Sequence, residues 1–158
     1  MAIEIEHKYL VIQEIWAAVT PERSTAVQQA YLLNEPEKTI RVRLIGEEGY
    51  LTIKGKTEGA SRTEYEYGIP YEDARDLIAR FGQSRIEKVR HYVQIGGKTW
   101  EVDEFGGENA GLMVAEIELE DESEAYTLPD WAGEQVTHDA RYLNANLIKH
   151  PYSRWVRT

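Results

Sequence analysis

Seven segments of this chain carry full charges two residues apart. They are Glu4/Glu6 followed by Lys8, Arg41/Arg43, Lys54/Lys56, Glu64/Glu66, Lys88/Arg90, Glu101/Asp103 and Glu116/Glu118. Ile5, Val42, Tyr65, Val89, Val102 and Ile117 stand between members of such pairs, and a period of two puts each pair on one face of a strand with the apolar residues on the other. The signs are sorted by strand, basic at 41/43, 54/56 and 88/90, acidic at 64/66, 101/103 and 116/118, with both signs only in the first segment. A solvated outer face with cross-strand ion pairs, each contributing about 0.2–1 kcal/mol, is the plain alternative. Like charges along one strand repel, however, and a face built for stability intersperses signs. A sheet curled around the charged face would instead hold a polyanion against its bases. Hard carboxylate oxygens beside that polyanion suit Mg²⁺ or Mn²⁺.

The elements that must position these groups are mostly strands. Alternation predicts strands over 2–11, 25–34, 39–45, 50–57, 62–69, 84–95, 98–105 and 112–120, about eight in all. Gly46-Glu47-Glu48-Gly49 and Gly96-Gly97 read as hairpin connections. The period changes over 71–81, where Ala74, Leu77, Ile78 and Phe81 fall at helical spacing and Gly82 supplies a stop. A short helical turn within 13–22 and a helix near 140–148, closed by Pro151, complete the set.

At 158 residues and 42% hydrophobic, the chain suits one domain, 1–158, with a sizeable core. It has no cysteine, which excludes thiolate nucleophiles, disulfides and zinc–cysteine sites. No apolar run approaches the ~20 residues of a membrane span, and the start lacks a basic-then-apolar signal pattern, so no membrane association and a cytoplasmic location are expected. A net charge of −10 argues against binding a nucleic acid duplex, although a locally basic cleft remains compatible with an acidic exterior. No GxxxxGK[ST] loop is present. Oligomeric state is left open, a homodimer being one option.

Glu4-Ile5-Glu6-His7-Lys8 matches an ExExK signature, and the match continues in order through Arg41/Arg43, Lys54, Glu64/Glu66, Lys88/Arg90, Asp103 and Glu116/Glu118. Asp139-Ala140-Arg141-Tyr142 and His150-Pro151-Tyr152-Ser153-Arg154-Trp155 fit the same pattern. On these residues the chain resembles the CYTH superfamily, the triphosphate tunnel metalloenzymes, and in particular its short bacterial inorganic triphosphatases. The resemblance implies an α+β, mainly β fold: a closed eight-stranded antiparallel barrel, a tunnel with a charged interior and helices packed outside. It implies metal-dependent hydrolysis of a small-molecule triphosphate, foremost inorganic tripolyphosphate to pyrophosphate and phosphate. Thiamine triphosphate or nucleoside triphosphate hydrolysis, class IV adenylate cyclase activity and a non-catalytic polyphosphate- or nucleotide-binding module are the alternatives.

Carried onto this sequence, the resemblance makes Arg41, Arg43, Lys54, Lys88 and Arg90 the substrate-binding cations. Glu4, Glu6, Glu116 and Glu118 become the metal ligands, for Mg²⁺ or Mn²⁺. Glu64, Glu66 and Asp103 are further metal candidates or residues that hold the arginines in place. Lys8 is the expected general acid/base, its pKa depressed by neighbouring cations, with Tyr31 of Gln29-Ala30-Tyr31-Leu32 as its dyad partner. Glu101 shares the parity of Asp103 but is assigned no role, and Lys56, beyond Gly55, is as well explained by solvation. His7 and His91 fall on the opposite faces and are expected outside. Trp16, Trp131 and Trp155 are expected to pack, Trp100 has outward parity, and no aromatic is clearly placed to stack a base or thiazolium ring.

Overall fold

The computed structural model describes residues 3–82 and 85–155. The expected strand starts at 2 and 84 lie outside them. The alternating segments form β1 (Ile3–Val11), β2 (Arg23–Glu35), β3 (Lys38–Ile45), β4 (Glu48–Gly55), β5 (Ser61–Ile69), β6 (Arg85–Ile95), β7 (Lys98–Phe105) and β8 (Met113–Leu119). They pair antiparallel in the order β5-β4-β3-β2-β6-β7-β8-β1, and β1 closes the ring by pairing Ile3, Glu4 and Ile5 with Thr63, Arg62 and Ser61. This is a closed eight-stranded barrel, which leaves no long unpaired edge. A ninth strand, β9 (Ala132–Gln135), pairs with the end of β1 beyond its pairing with β5. Its four residues, Ala-Gly-Glu-Gln, carry no alternation, so the sequence gives no signal for it.

Two hairpin turns are set by glycine. Gly46 (φ +58°) opens the two-residue β3–β4 loop, and Gly96 and Gly97 (φ +57° and +81°) make the β6–β7 turn. That left-handed pair matches the twist of the flanking strands.

Of the helices, α1 is only Gln13–Trp16, and α2 runs over Tyr71–Phe81. Ala74 and Ile78 of α2 pack on Ala30, Val42 and Leu44, the outward residues of β2 and β3, while Phe81 projects outward. Gly82 ends α2 at an ordinary negative φ. Glycine is needed there for space, since a Cβ would lie 2.7 Å from the Ala30 Cβ. The expected 140–148 helix divides into a 3-10 turn over Ala140–Tyr142 and α3 (Asn144–Lys149).

The core lies in three places. One cluster is under α2. A second covers the outer wall of β1, β7 and β8, where Tyr9, Trp100, Val102 and Ile117 meet Trp131. In the third, Leu147 of α3 and Tyr142 pack on Ile86, Phe105 and Val114. The last three share parity with Lys88, Asp103 and Glu116, so α3 closes one end of the lumen. No helix among the described residues is long and apolar enough to cross a membrane.

Candidate active site

Antiparallel register carries the charged faces of separate strands into continuous rows, because directly opposed residues share a face. Tyr31, Arg41, Thr52 and Glu66 stand in one row across β2, β3, β4 and β5. Tyr92, Glu101, Glu116 and Lys8 stand in another across β6, β7, β8 and β1. The rows face a central cavity of about 200 Å³ whose exposed lining is almost wholly polar. Glu4, Glu6, Lys8, Arg41, Arg43, Lys54, Glu64, Glu66, Arg90, Glu116 and Glu118 all line it. Lys88 and Asp103 are buried in the wall immediately behind.

Each base is held by an acid. Asp103 accepts from Arg90 through both oxygens, at 2.8 and 2.9 Å, and from Lys88 at 2.7 Å. Burial pushes the Asp103 carboxyl up, but Arg90 and Lys88 outweigh it and hold it far below the carboxylate range. Lys88 is lowered to about 8 by burial, which Asp103 only partly offsets. Glu66 accepts from Arg43 Nη2 at 2.8 Å and from the Thr52 hydroxyl at 3.0 Å, and Thr52 accepts weakly from Arg41 at 3.4 Å. Lys54 donates to Glu4 at 2.9 Å and lies 3.4 Å from Glu64.

The acidic side is under strain that a cation would relieve. Oxygens of Glu4, Glu64 and Glu118 lie within 4.8 Å of one another. Burial and the charges of Glu4 and Glu64 raise Glu118, and burial with Glu4 raises Glu64. Burial and Glu116 raise Glu6 to about 8. Burial also pushes Glu4 up, but Lys54 and Arg62 bring it to about 2. Such a set of hard oxygen donors fits a divalent ion.

Lys8 departs from expectation. Burial lowers its pKa, but Glu6, at 3.5 Å, and Glu116 more than compensate, and the ammonium stands above the ordinary lysine value. Its immediate neighbours are acids, not cations. Tyr31 is buried on the inner face opposite Arg41. Its strand stands four places from β1 in either direction round the barrel, and it does not line the central cavity. Among the described residues no hydrogen bond joins it to Lys8.

Three lining residues lay outside the expected set or at its margin. Glu101 accepts from Arg90 Nη1 at 2.9 Å, as its parity with Asp103 allowed. Arg62 lies 3.7 Å from Glu4 and shares the parity of Glu64, so the inward charged face of β5 begins at Arg62. Asn144, whose Oδ1 lies 3.4 Å from Lys88 Nζ, enters from the α3 end-plug, within the expected 140–148 helix, whose spacing carries no sign that this residue faces the lumen. Lys56 is exposed beyond β4. His7 bonds Tyr126, and His91 bonds Ser24 and Glu104 on the outer wall.

A wider mouth of about 530 Å³ shares Arg43, Glu66, Arg90 and Glu101 with the central cavity. Tyr50 and Tyr92 line it, with Arg23 stacked 4.0 Å from the Tyr92 ring, so aromatics do stand at the entrance. A groove of about 590 Å³ opens on the outer wall beside Tyr71, but Lys88 is the only cation in its lining. The charged lumen is therefore the candidate site.

A CYTH domain model matches residues 2–152. An inorganic triphosphatase of Acetivibrio thermocellus is 44% identical over 156 residues, 98% of this chain and 99% of that protein. One of Nitrosomonas europaea is 34% identical over 151 residues, 91% and 95% of the two chains. The crystal structure of an inorganic triphosphatase superposes with a TM-score of 0.64 at 31% identity, covering 94% of this chain and 95% of the other.

Proposed function

The chain belongs to the CYTH family, and on that premise we propose that it is a metal-dependent triphosphatase that hydrolyses inorganic tripolyphosphate to pyrophosphate and phosphate. The observation that supports this most is the lumen itself, where Arg41, Arg43, Lys54 and Arg90 face one cavity with clustered carboxylates.

In this mechanism the triphosphate enters from the wide mouth, since α3 closes the other end. Arg41, Arg43 and Arg90 offer guanidinium forks to phosphoryl oxygens, with Lys54 as a point charge and Lys88 behind the lining, adding its charge through Asp103. A triphosphate loses much hydration in such a cavity, and several fixed cations are needed to replace it. Glu66, Asp103 and Thr52 hold the arginines in position beforehand. Glu4, Glu64 and Glu118, with Glu6 and Glu116 beside them, would hold Mg²⁺ or Mn²⁺. A divalent ion there would supply charge neutralisation at the phosphoryl oxygens.

Water attacks the terminal phosphorus, the bond from that phosphorus to the bridging oxygen breaks, and pyrophosphate leaves. Lys8, an ammonium at neutral pH, contacts a phosphoryl oxygen, gives a proton to the leaving oxygen as the bond breaks, and takes up the proton that the attacking water loses as orthophosphate forms. Tyr31, opposite Arg41 on β2 and four strands from Lys8, takes no part in this proton transfer.

A second substrate class, nucleoside triphosphates, is favoured by Tyr50 and Tyr92 at the mouth, where a base would lie once its phosphates occupy the lumen. Incubation with tripolyphosphate, ATP, GTP and thiamine triphosphate, with and without chelator, tests these assignments. Tripolyphosphate should be turned over fastest, and only with divalent metal. Cyclic AMP from ATP would identify a cyclase instead, and binding without turnover in any metal would identify a non-catalytic module.

A further inference from the structure

One inner-wall side chain has no part in the mechanism above. Gln29 is fully buried on β2 and stands opposite Arg43 in the β2–β3 register, so the two side chains leave neighbouring strands on one face with Cβ atoms about 4.5–5.5 Å apart. Both amide atoms of Gln29 lack a hydrogen-bonding partner among the described residues, and so does Nε of Arg43. Leaving three buried polar atoms unpaired on facing residues is costly. Arg43 meanwhile is tied by Nη2 to Glu66, 2.8 Å away, the bond that a phosphoryl group must displace to use that nitrogen.

We propose that Gln29 is the positioning residue of Arg43: as phosphate draws the guanidinium from Glu66, Gln29 Oε1 accepts from Arg43 Nε and fixes the fork with both Nη groups toward the substrate. The proposal rests on the triphosphatase function given above. Arg90 shows the other way to hold an arginine, since Asp103 takes its Nε at 2.8 Å with a full negative charge. A neutral amide orients Arg43 without cancelling its charge, which leaves that charge for the triphosphate. The planar guanidinium, pinned at Nε, then presents two parallel N–H donors to two phosphoryl oxygens.

The test is a double-mutant cycle read in KM and kcat for tripolyphosphate with Mg²⁺. Gln29→Met, of similar size and without polar atoms, should raise KM about tenfold, the loss of one hydrogen bond to a charged group, and change kcat less than threefold. In an Arg43→Lys background, which has no Nε to hold, Gln29→Met should change KM less than twofold. An unchanged KM in Gln29→Met alone, or an equal rise in both backgrounds, overturns the inference while leaving the triphosphatase activity standing. Absence of turnover by the wild-type protein overturns both. Should Gln29→Met fail to fold, the Arg43 Nε–H resonance of the wild-type protein, assigned by its loss in Arg43→Lys, gives an independent reading. It should sharpen and shift on adding pyrophosphate. A resonance unmoved by saturating pyrophosphate counts against the proposal.

Discussion

Asp103 grips Arg90 through both carboxylate oxygens, Oδ1 to Nε at 2.8 Å and Oδ2 to Nη2 at 2.9 Å, with both residues buried. Oδ2 also takes Lys88, so one carboxylate compensates two buried cations. Removing that charge leaves both cations uncompensated, and breaking a buried pair in this way costs about 3–5 kcal/mol. Asp103→Asn should therefore lower stability by about that amount in urea unfolding. Glu101→Gln, which removes a more exposed partner of Arg90 Nη1, should cost under about 1 kcal/mol. Equal losses in the two variants would show that Asp103 does not carry the pair.

Glu6 gives a pH dependence with a definite sign. Its folded pKa, about 8, lies above its ordinary value of 4.5. Between those two values the folded protein keeps a proton that the unfolded chain releases. The contribution of Glu6 to stability is thus complete below about pH 4.5 and is lost as pH rises through about 8. Without divalent ions the melting temperature should fall from pH 6 to pH 9, and Glu6→Gln should make that fall shallower. Metal affinity should rise over the same window, because the ion displaces the proton. A fall that Glu6→Gln leaves unchanged would assign it to other groups.

Arg41 and Lys8 should separate in kinetics. Arg41→Ala removes a phosphate ligand and should raise KM for tripolyphosphate at least tenfold, as expected for a charged hydrogen bond. Lys8→Ala should lower kcat a hundredfold or more, the usual range for acid–base catalysis, with an intact fold by circular dichroism. Near-normal turnover in Lys8→Ala would remove it from proton transfer.

Gly49 tests how closely α2 sits on the barrel. A Cβ there would come within 2.7 Å of the Ala74 Cβ. Gly49→Ala should therefore cost about 1–3 kcal/mol by overpacking, with KM unchanged because α2 lies outside the lumen. A neutral effect on thermal unfolding would mean that the helix shifts freely.

Charged pairs at period two made the inner faces of seven strands legible, because a strand's parity is fixed by its backbone alone. That parity placed Arg41, Arg43, Lys54, Arg90, Glu116 and Glu118 on the cavity wall and His7 and His91 outside. It did not tell an open sheet from a barrel, since closure depends on the three-residue pairing of Ile3–Ile5 with Ser61–Thr63, which leaves no local trace. Nor did it rank the acids. Glu64 joins Glu4 and Glu118 through the β1–β5 seam, while Glu66, two residues on, is bound to Arg43. The Lys8 environment is hidden from parity for the same reason. Its row neighbour Glu116 lies 108 residues on in the chain, and the acids, not the nearby cations, set its charge. Asn144 and β9 come from the irregular tail, where contacts depend on packing and not on period.

The most direct measurement is ³¹P NMR of tripolyphosphate with catalytic amounts of the protein. With Mg²⁺ or Mn²⁺, the tripolyphosphate signals should give way to pyrophosphate and orthophosphate in equal amounts, and excess chelator should stop the conversion. Tripolyphosphate left intact in every divalent metal, or hydrolysis undiminished by chelator, would contradict a metal-dependent triphosphatase in this lumen.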